Sequence, residues 1–276
     1  MTPPQARSWF VALVVLCTPV SMSAQKPTVA IIGTGDVANS IGPKLAAGGY
    51  TIVYGSRNPD RESVAELVEL TGSEAYATTQ QEAAAAADVV ILAVPWEAMG
   101  QVVANLGDVS GKALVDVSDP NTIASDGYME SSVETSASEL IQGWQPDAYV
   151  VKMAIPSSYL IDEPTLLGPP PTVMLASDHR ASKEAVGEIV AELGLDPWDA
   201  GPLRMARAIE AFRLLFWVPL LQGRDEGIEF RLIRSSYWPC FWDVQATFGA
   251  PPDVDDLAQL PGESEPRPCE SFPSGR

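Results

Sequence analysis

The sequence contains little histidine and little cysteine, with one histidine and three cysteines among 276 residues. The histidine, His179, lies between Asp178 and Arg180 in a predicted turn, where we expect it to be exposed and inert. Zinc sites and bis-histidine haem sites need several such ligands, so the sequence predicts no metal site. A Ser-His-Asp triad is excluded as well, and the sequence alone assigns no catalytic residue.

Basic residues are also scarce, because 17 Lys and Arg residues oppose 36 Asp and Glu residues. The resulting formal charge of −19 at pH 7 repels phosphate backbones, and we therefore predict no nucleic-acid partner. The hydrophobic fraction of 46% and the charged fraction of 19% are typical of a globular chain. Basic side chains grouped in such an acidic chain would mark a specific anion site.

The apolar run near the N-terminus, Phe10 to Leu16, is too short for a comfortable membrane span, and we predict no stable membrane domain. It follows Arg7 and precedes the small residues at 21–24, the layout of a secretory signal. We therefore predict that residues 1–24 are a signal peptide or N-terminal anchor. The protein is secreted or periplasmic if this signal is cleaved, and otherwise cytoplasmic or membrane-anchored.

Removal of residues 1–24 leaves two cysteines, Cys240 and Cys269. In an oxidising compartment these two thiols can form a disulfide that holds the C-terminal tail. In a reducing compartment they are ordinary free thiols, and the sequence leaves both states open.

Strands alternate with helices from residue 28 to residue 199, with short connections. This order predicts an α/β fold with a Rossmann-type doubly wound, mainly parallel sheet in a domain of residues 25–201. Residues 202–276 are predicted to contain one long helix, Leu203 to Leu221, followed by an irregular acidic tail rich in Trp and Pro. The predicted strands are 28–32, 51–54, 88–94, 112–117, 149–155, 172–176 and 196–199; the predicted helices are 36–47, 61–70, 82–87, 99–106, 136–142 and 182–193.

A glycine-rich turn follows the first strand and opens the first helix. It reads Gly33-Thr34-Gly35-Asp36-Val37-Ala38, the pattern that lets a backbone approach a pyrophosphate at a helix N-terminus. We predict that residues 33–37 bind a dinucleotide, and that Asp36 also caps the helix.

The end of the second strand distinguishes the two nicotinamide cofactors. NAD sites place an acid there for the ribose 2′-hydroxyl, whereas this chain has Gly55-Ser56-Arg57-Asn58-Pro59-Asp60-Arg61. The guanidinium of Arg57 suits a 2′-phosphate, Ser56 adds a hydroxyl, and Arg61 can fold back onto the same oxygens. We therefore predict NADP(H) as the cofactor, bound by Ser56, Arg57, Asn58 and Arg61.

Two further strand ends face the same crevice in this topology. Ala93, Val94 and Pro95 are predicted to line the nicotinamide, and Ser118 to reach the crevice from the next strand. Trp96 is either a stacking wall or part of the core. Lys152 is the one basic residue placed suggestively in the sheet. Without a clear acid-base residue, direct hydride transfer between two cofactors becomes the favoured chemistry.

These motifs together resemble the coenzyme F420-dependent NADP oxidoreductase family, and also the soluble oxidoreductase domain of the STEAP metalloreductases. The resemblance implies that Thr34, Ser56, Arg57 and Arg61 bind on the side of the NADP 2′-phosphate. It also implies that NADPH passes hydride to deazaflavin F420 or a flavin. The chain departs from these relatives at residues 153–156, and at Asp119, where an asparagine is more usual. The stretches that carry the resemblance are 29–45, 53–59, 89–97 and 114–120, with looser likeness at 149–152 and 201–215.

Two alternatives remain open. One is a non-catalytic NADP(H)-binding protein, and the other is an enzyme like the pyrroline-5-carboxylate or β-hydroxyacid reductases. The second alternative is disfavoured because only one convincing helix follows Gly201. We expect small-molecule cofactors as partners and leave a homodimer open.

Overall fold

The computed structural model describes residues 26–73 and 75–235, and the single positions 240, 247, 249, 258, 260 and 261. The predicted signal or anchor, residues 1–24, lies outside the described residues, as does Cys269. Cys240 is disulfide-bonded, and its pairing with Cys269 stays a prediction. Within the described part of the chain, no helix is both long and apolar enough to span a membrane.

An eight-stranded sheet forms the centre of the molecule, and a small two-stranded sheet lies beside it. The strands are β1 (Thr28–Ile32), β2 (Thr51–Ser56), β3 (Ala75–Thr79), β4 (Val89–Leu92), β5 (Ala113–Asp116), β6 (Asn121–Ile123), β7 (Met129–Ser131), β8 (Tyr149–Met153), β9 (Thr172–Ala176) and β10 (Asp196–Asp199). The large sheet has the order β10-β9-β8-β5-β4-β1-β2-β3. Its neighbours are parallel except β8 and β9, which are antiparallel, so the predicted Rossmann-type, mainly parallel fold is confirmed.

Helices cover both faces of this sheet. They are α1 (Asp36–Ala47), α2 (Glu62–Thr71), α3 (Gln80–Ala86), α4 (Trp96–Ala104), α5 (Ala137–Trp144), α6 (Ser158–Asp162), α7 (Arg180–Glu192), α8 (Ala206–Arg213) and α9 (Val218–Leu221). Because side chains alternate along a strand, Ile31 of β1 packs in one core with Ile41 of α1, whereas Ile32 packs in the other with Ala83 of α3. The apolar strands of the central sheet are therefore buried on both faces.

Two strand regions were not predicted from the sequence. Strand β3 is an edge strand whose residues are half-buried or exposed, so it lacks the apolar run that reveals an inner strand. The hairpin of β6 and β7 lies in the polar stretch after β5, where only a helical patch was expected. That patch corresponds to α5, which begins at Ala137 after a Ser136 cap.

The prediction of one long helix from Leu203 to Leu221 is wrong. A 3-10 turn precedes α8, and a second 3-10 segment, Leu214–Trp217, separates α8 from α9. Pro219 has no N–H to donate to the carbonyl of Leu215, and its ring crowds that carbonyl, so a regular α-helix cannot continue through this point.

A buried charge cluster, formed by Asp116, Lys152 and Glu210, joins the C-terminal ends of β5 and β8 to α8. The ammonium of Lys152 lies 3.2 Å from Asp116 Oδ2 and 3.1 Å from Glu210 Oε1, and the Lys152 side chain is fully buried. The Ser138 hydroxyl of α5 donates to Asp116, and the N–H of Ala137 donates to Glu210 at 3.1 Å. Lys152 therefore connects α8 to the sheet, and Ser138 connects α5 to β5 directly.

Electrostatics inside this cluster favour the charged lysine. Burial alone would lower the pKa of Lys152, but the charges of Asp116 and Glu210 outweigh burial and raise the pKa. Burial also raises the pKa of the Glu210 carboxyl, and Lys152 opposes that shift. Removal of one member leaves uncompensated buried charge, which costs far more than loss of an exposed pair.

Replacement of Lys152 by methionine should lower the free energy of unfolding by about 3–5 kcal/mol, because two buried carboxylates lose their cation. Urea denaturation at pH 7 measures this change. The control is Arg180→Ala, which removes an exposed i,i+4 pair with Glu184 and should change stability by less than about 0.5 kcal/mol. A loss below about 1 kcal/mol for Lys152→Met would contradict the role assigned to the cluster.

Candidate functional site

The turn after β1 depends on the absence of a side chain at Gly33. This residue has φ +121°, its N–H donates to the Gly55 carbonyl at 3.0 Å, and a Cβ would overlap the carbonyl oxygen of Ala93. Ala93 follows β4, and its own N–H donates to Ile32 O at 2.9 Å. The turn therefore lies directly against the end of β4, where the strand order reverses and open α/β sheets bind ligands.

At Gly35, unlike at Gly33, a side chain would meet no protein atom. Gly35 is the N-cap of α1, and a Cβ there would meet no other atom within 4 Å. The space beside its backbone is open, which is what close approach of a pyrophosphate requires. This observation shows that the turn can accept the cofactor implied by the resemblance.

The N-terminus of α1 has no side-chain cap. Asp36 is the first residue of the helix and does not cap it, so the predicted capping role of Asp36 is wrong. The backbone of Gly35 holds the N-cap position instead, and its carbonyl accepts the Asn39 N–H at 3.0 Å. First-turn N–H groups have no partners within their own helix, so this end of α1 can bind an anion.

The basic residues after β2 surround the same turn. Ser56 ends β2 and is buried, whereas Arg57 and Arg61 are exposed. The Arg61 guanidinium donates to the Thr34 hydroxyl at 3.2 Å, which bridges the loop after β2 to the glycine turn. Across the described residues, neither Arg57 nor Arg61 forms an ion pair with a carboxylate. Both charges therefore remain available to a ligand.

These parts enclose a cavity of about 500 Å³ at the C-terminal edge of the sheet. The lining residues are Gly33, Thr34, Gly35, Gly55, Ser56, Arg57, Asn58, Arg61, Gln80, Ala93, Val94 and Pro95. The predicted binding residues are thus brought together, with the exception of Asp36, Val37 and Ser118, which do not line the cavity. Val37 packs partly buried against the core instead.

Ser118 is drawn into the buried charge cluster. Its hydroxyl donates to Asp116 Oδ1 at 2.6 Å, and its carbonyl accepts a hydrogen bond from Lys152. Lys152 is fully buried and paired with acids, which makes it a structural residue and not an accessible proton donor. The sequence reasoning did not anticipate Glu210, because it lies in the segment predicted as an apolar helix.

Asp119, where the sequence departs from the families it resembles, forms an ion pair with an arginine of α8. Both carboxylate oxygens of Asp119 accept from Arg213 Nε at 2.9 Å, and the same guanidinium donates to the Ile155 carbonyl at 2.8 Å. An asparagine would lose the charge of this pair. Asp119 and Ile155, both in stretches where the sequence departs from the pattern of the families it resembles, therefore contact one arginine of α8.

Trp96 and His179 each stack on another aromatic ring. Trp96 stacks on Trp144 with ring centroids 5.8 Å apart and does not line the cavity, so it belongs to the packing between α4 and α5. His179 is half-buried, stacks on Tyr149 at 3.6 Å, and caps α7 by accepting from the Ser182 N–H. The expectation that His179 is exposed is wrong, and its role is to begin a helix.

Sequence reasoning missed two cavity residues, Gly55 and Gln80. A Cβ at Gly55 would approach Ile32 Cδ1 to 2.6 Å, so glycine is needed for β2 to pack at this point. Gln80 begins α3 directly after β3, the edge strand that the sequence did not reveal. Recognition of β3 would have placed residue 80 at the same edge of the sheet as the glycine turn.

Comparison with known proteins agrees with this geometry. Residues 28–120 match the model of the family described as NADP oxidoreductase, coenzyme F420-dependent. The matched stretch contains the glycine turn, the loop after β2 and the end of β4. The F420-dependent NADP reductase of Methanothermobacter thermautotrophicus is 29% identical over 199 residues, which are 66% of this chain and 84% of that protein.

A second group of relatives consists of metalloreductases. Metalloreductase STEAP3 of Rattus norvegicus is 32% identical over 191 residues, or 69% of this chain. The chain spans only 37% of the length of that relative. Among solved structures, a putative F420-dependent NADP reductase from Arthrobacter sp. FB24 has a TM-score of 0.66 and 22% identity, covering 75% of this chain and all of that one, which supports the fold alone.

Replacement of Gly33 and of Gly35 by alanine should lower the free energy of unfolding by different amounts. Gly33→Ala should lower the free energy of unfolding by about 1–3 kcal/mol, because a positive φ and an overlap with the Ala93 carbonyl must be relieved. Gly35→Ala should cost less than about 1 kcal/mol, because its Cβ enters open space at a helix N-cap. Urea denaturation of both variants measures the difference, and equal losses would contradict the geometry of the turn.

Proposed function

We propose that this protein is an NADPH-dependent oxidoreductase that transfers hydride between NADPH and deazaflavin F420 or a flavin. The proposal rests on one cavity that joins the uncapped N-terminus of α1, an apolar strand end and two arginines, and among the described residues these arginines form no ion pair with an acid. NADP(H) has a pyrophosphate at its centre, a 2′-phosphate on one ribose and a nicotinamide at the other end. These three groups match the helix end, the two arginines and the apolar strand end of the cavity. The family name and the reductase relatives support the same cofactor and acceptor.

The phosphate side of the site is assigned to residues of α1 and the loop after β2. The backbone of Gly33 to Gly35 and the first N–H groups of α1 would hold the pyrophosphate. Ser56, Arg57 and Arg61 would hold the 2′-phosphate, and Thr34 positions Arg61 through their hydrogen bond. No acid ends β2, so the chain lacks the residue that NAD sites use for a free 2′-hydroxyl.

The hydride side of the site is assigned to Ala93, Val94 and Pro95. These residues offer carbon atoms and backbone groups and no titratable side chain, so they orient a nicotinamide and exclude water from one of its faces. NADPH, when bound, supplies the hydride. A deazaflavin or flavin accepts that hydride and takes one proton from solvent, so the reaction needs no acid from the protein.

Titration of the purified full-length chain with NADPH, followed by addition of F420, FMN and FAD, tests this function. Loss of NADPH absorbance in step with reduction of at least one acceptor is the expected result. Tight NADPH binding without reduction of any acceptor would overturn hydride transfer and favour a non-catalytic NADP(H)-binding protein. Turnover with a cyclic imine or a keto acid instead would favour the reductases considered as the second alternative.

Replacement of Arg57 by alanine should weaken NADPH binding by roughly ten- to a hundredfold, because a charge-assisted hydrogen bond contributes about 1.5–3 kcal/mol. NADH binding should change little, since NADH has no 2′-phosphate. Fluorescence titration measures both affinities. The control is Arg224→Ala, an exposed arginine paired with Glu226, which should leave both affinities unchanged. Equal losses for NADPH and NADH in Arg57→Ala would refute the 2′-phosphate assignment.

We also propose that residues 1–24 direct the chain out of the cytoplasm. If the segment is cleaved, the protein is secreted or periplasmic. The support is the order of Arg7, the apolar run from Phe10 to Leu16, and the small residues before Gln25. Cell fractionation of the full-length chain beside a chain lacking residues 2–24 tests the location. Recovery of both in the cytoplasm would overturn it. A homodimer stays a prediction.

A further inference from the structure

The strand order arranges the parts of the cavity in a line along one edge of the sheet. Ala93 follows β4, the glycine turn follows β1, Ser56 ends β2, and Gln80 follows β3, and these four strands are neighbours in the order β4-β1-β2-β3. Adjacent strands lie about 4.8 Å apart. A dinucleotide with its nicotinamide at β4 and its 2′-phosphate at β2 therefore extends its base toward the end of β3.

Gln80 is the cavity residue contributed by the end of β3. It is half-buried, it is the first residue of α3, and its Cα lies against Gly55. Within the described residues, no hydrogen bond engages its carboxamide. The carboxamide of Gln142, by contrast, donates to the carbonyls of Gln145 and Ala148 and accepts from the Val150 N–H. Because the Gln80 carboxamide lines the cavity, its donors and its acceptor are available to a ligand bound there.

We propose that the Gln80 carboxamide binds the edge of the adenine base of NADP(H) and makes the site selective for adenine. This inference rests on the proposed NADP(H) function. An adenine edge presents an exocyclic N6–H donor beside a ring-nitrogen acceptor, and a carboxamide presents a C=O acceptor beside an N–H donor. The two edges can form a pair of hydrogen bonds that fixes the base and, through it, the adenosine half of the cofactor.

Other cavity side chains suit this role less well. Arg57 and Arg61 have only donors, and their charge suits the phosphate. Asn58 follows β2, which places its carboxamide beside the ribose instead of beyond it. Gln81 is exposed and does not line the cavity, so it provides a control of identical chemistry.

Binding of NADP and of its etheno-adenine analogue, which has no N6–H donor, separates base recognition from a general effect. Calorimetric titration of the full-length chain with NADP, the analogue and NAD gives the affinities for the wild type, Gln80→Ala and Gln81→Ala. Gln80→Ala should weaken NADP binding about three- to tenfold and leave analogue binding nearly unchanged. Gln81→Ala should alter neither affinity.

The other outcomes refute the inference in distinguishable ways. An equal loss for NADP and the analogue, or no loss for either, would show that Gln80 does not bind the base edge. A loss for NADP with no loss for NAD would move Gln80 to the 2′-phosphate and overturn its contact with adenine. If the wild type binds no NADP, the proposed function itself fails, and that result is separate from an altered response of Gln80→Ala.

Discussion

The close approach of the Gly33 turn to the Ala93 carbonyl is the contact on which the candidate site depends. It requires a backbone with positive φ and no Cβ, and it brings the end of β1 against the end of β4. The first turn of α1 then faces the crevice between the two halves of the sheet, with Gly35 leaving its backbone open. In a chain with a formal charge of −19, this helix end offers partial positive charge that suits an anion and requires no lysine or arginine.

The rest of the site is supported by buried charge behind the sheet edge. Lys152 pairs with two carboxylates and thereby attaches α8 to the sheet. The Ser138 hydroxyl attaches α5 to Asp116 of β5, and the Ala137 N–H joins α5 to Glu210 of α8. Arg213 adds a second connection between α8 and the strand ends through Asp119 and the Ile155 carbonyl. Asp119 and residues 153–156, where the sequence departs from the families it resembles, lie at this second connection.

Much of the fold follows from the sequence, because inner strands are continuous apolar runs and glycines punctuate the strand ends. The turn at Gly33 and the loop of Ser56 to Arg61 were recognisable because their chemistry is local. Edge strand β3 was not, since a half-exposed strand needs no apolar run, and Gln80 was missed with it. The burial of Lys152 in an ion-pair cluster, with Ser118 bonded to it, could not be predicted either, because the partner Glu210 comes from a helix far along the chain. Local sequence predicts elements and turns; it does not predict which distant side chains neutralise a buried charge.

We infer that one cavity holds NADP(H) along the strand ends in the order β3, β2, β1 and β4. A crystal structure of the full-length chain with NADP bound tests this most directly. We predict the 2′-phosphate between Arg57 and Arg61, the pyrophosphate at the first turn of α1, and the nicotinamide beside Ala93. A cofactor bound in the reverse direction, or at any other surface of the protein, would contradict the account.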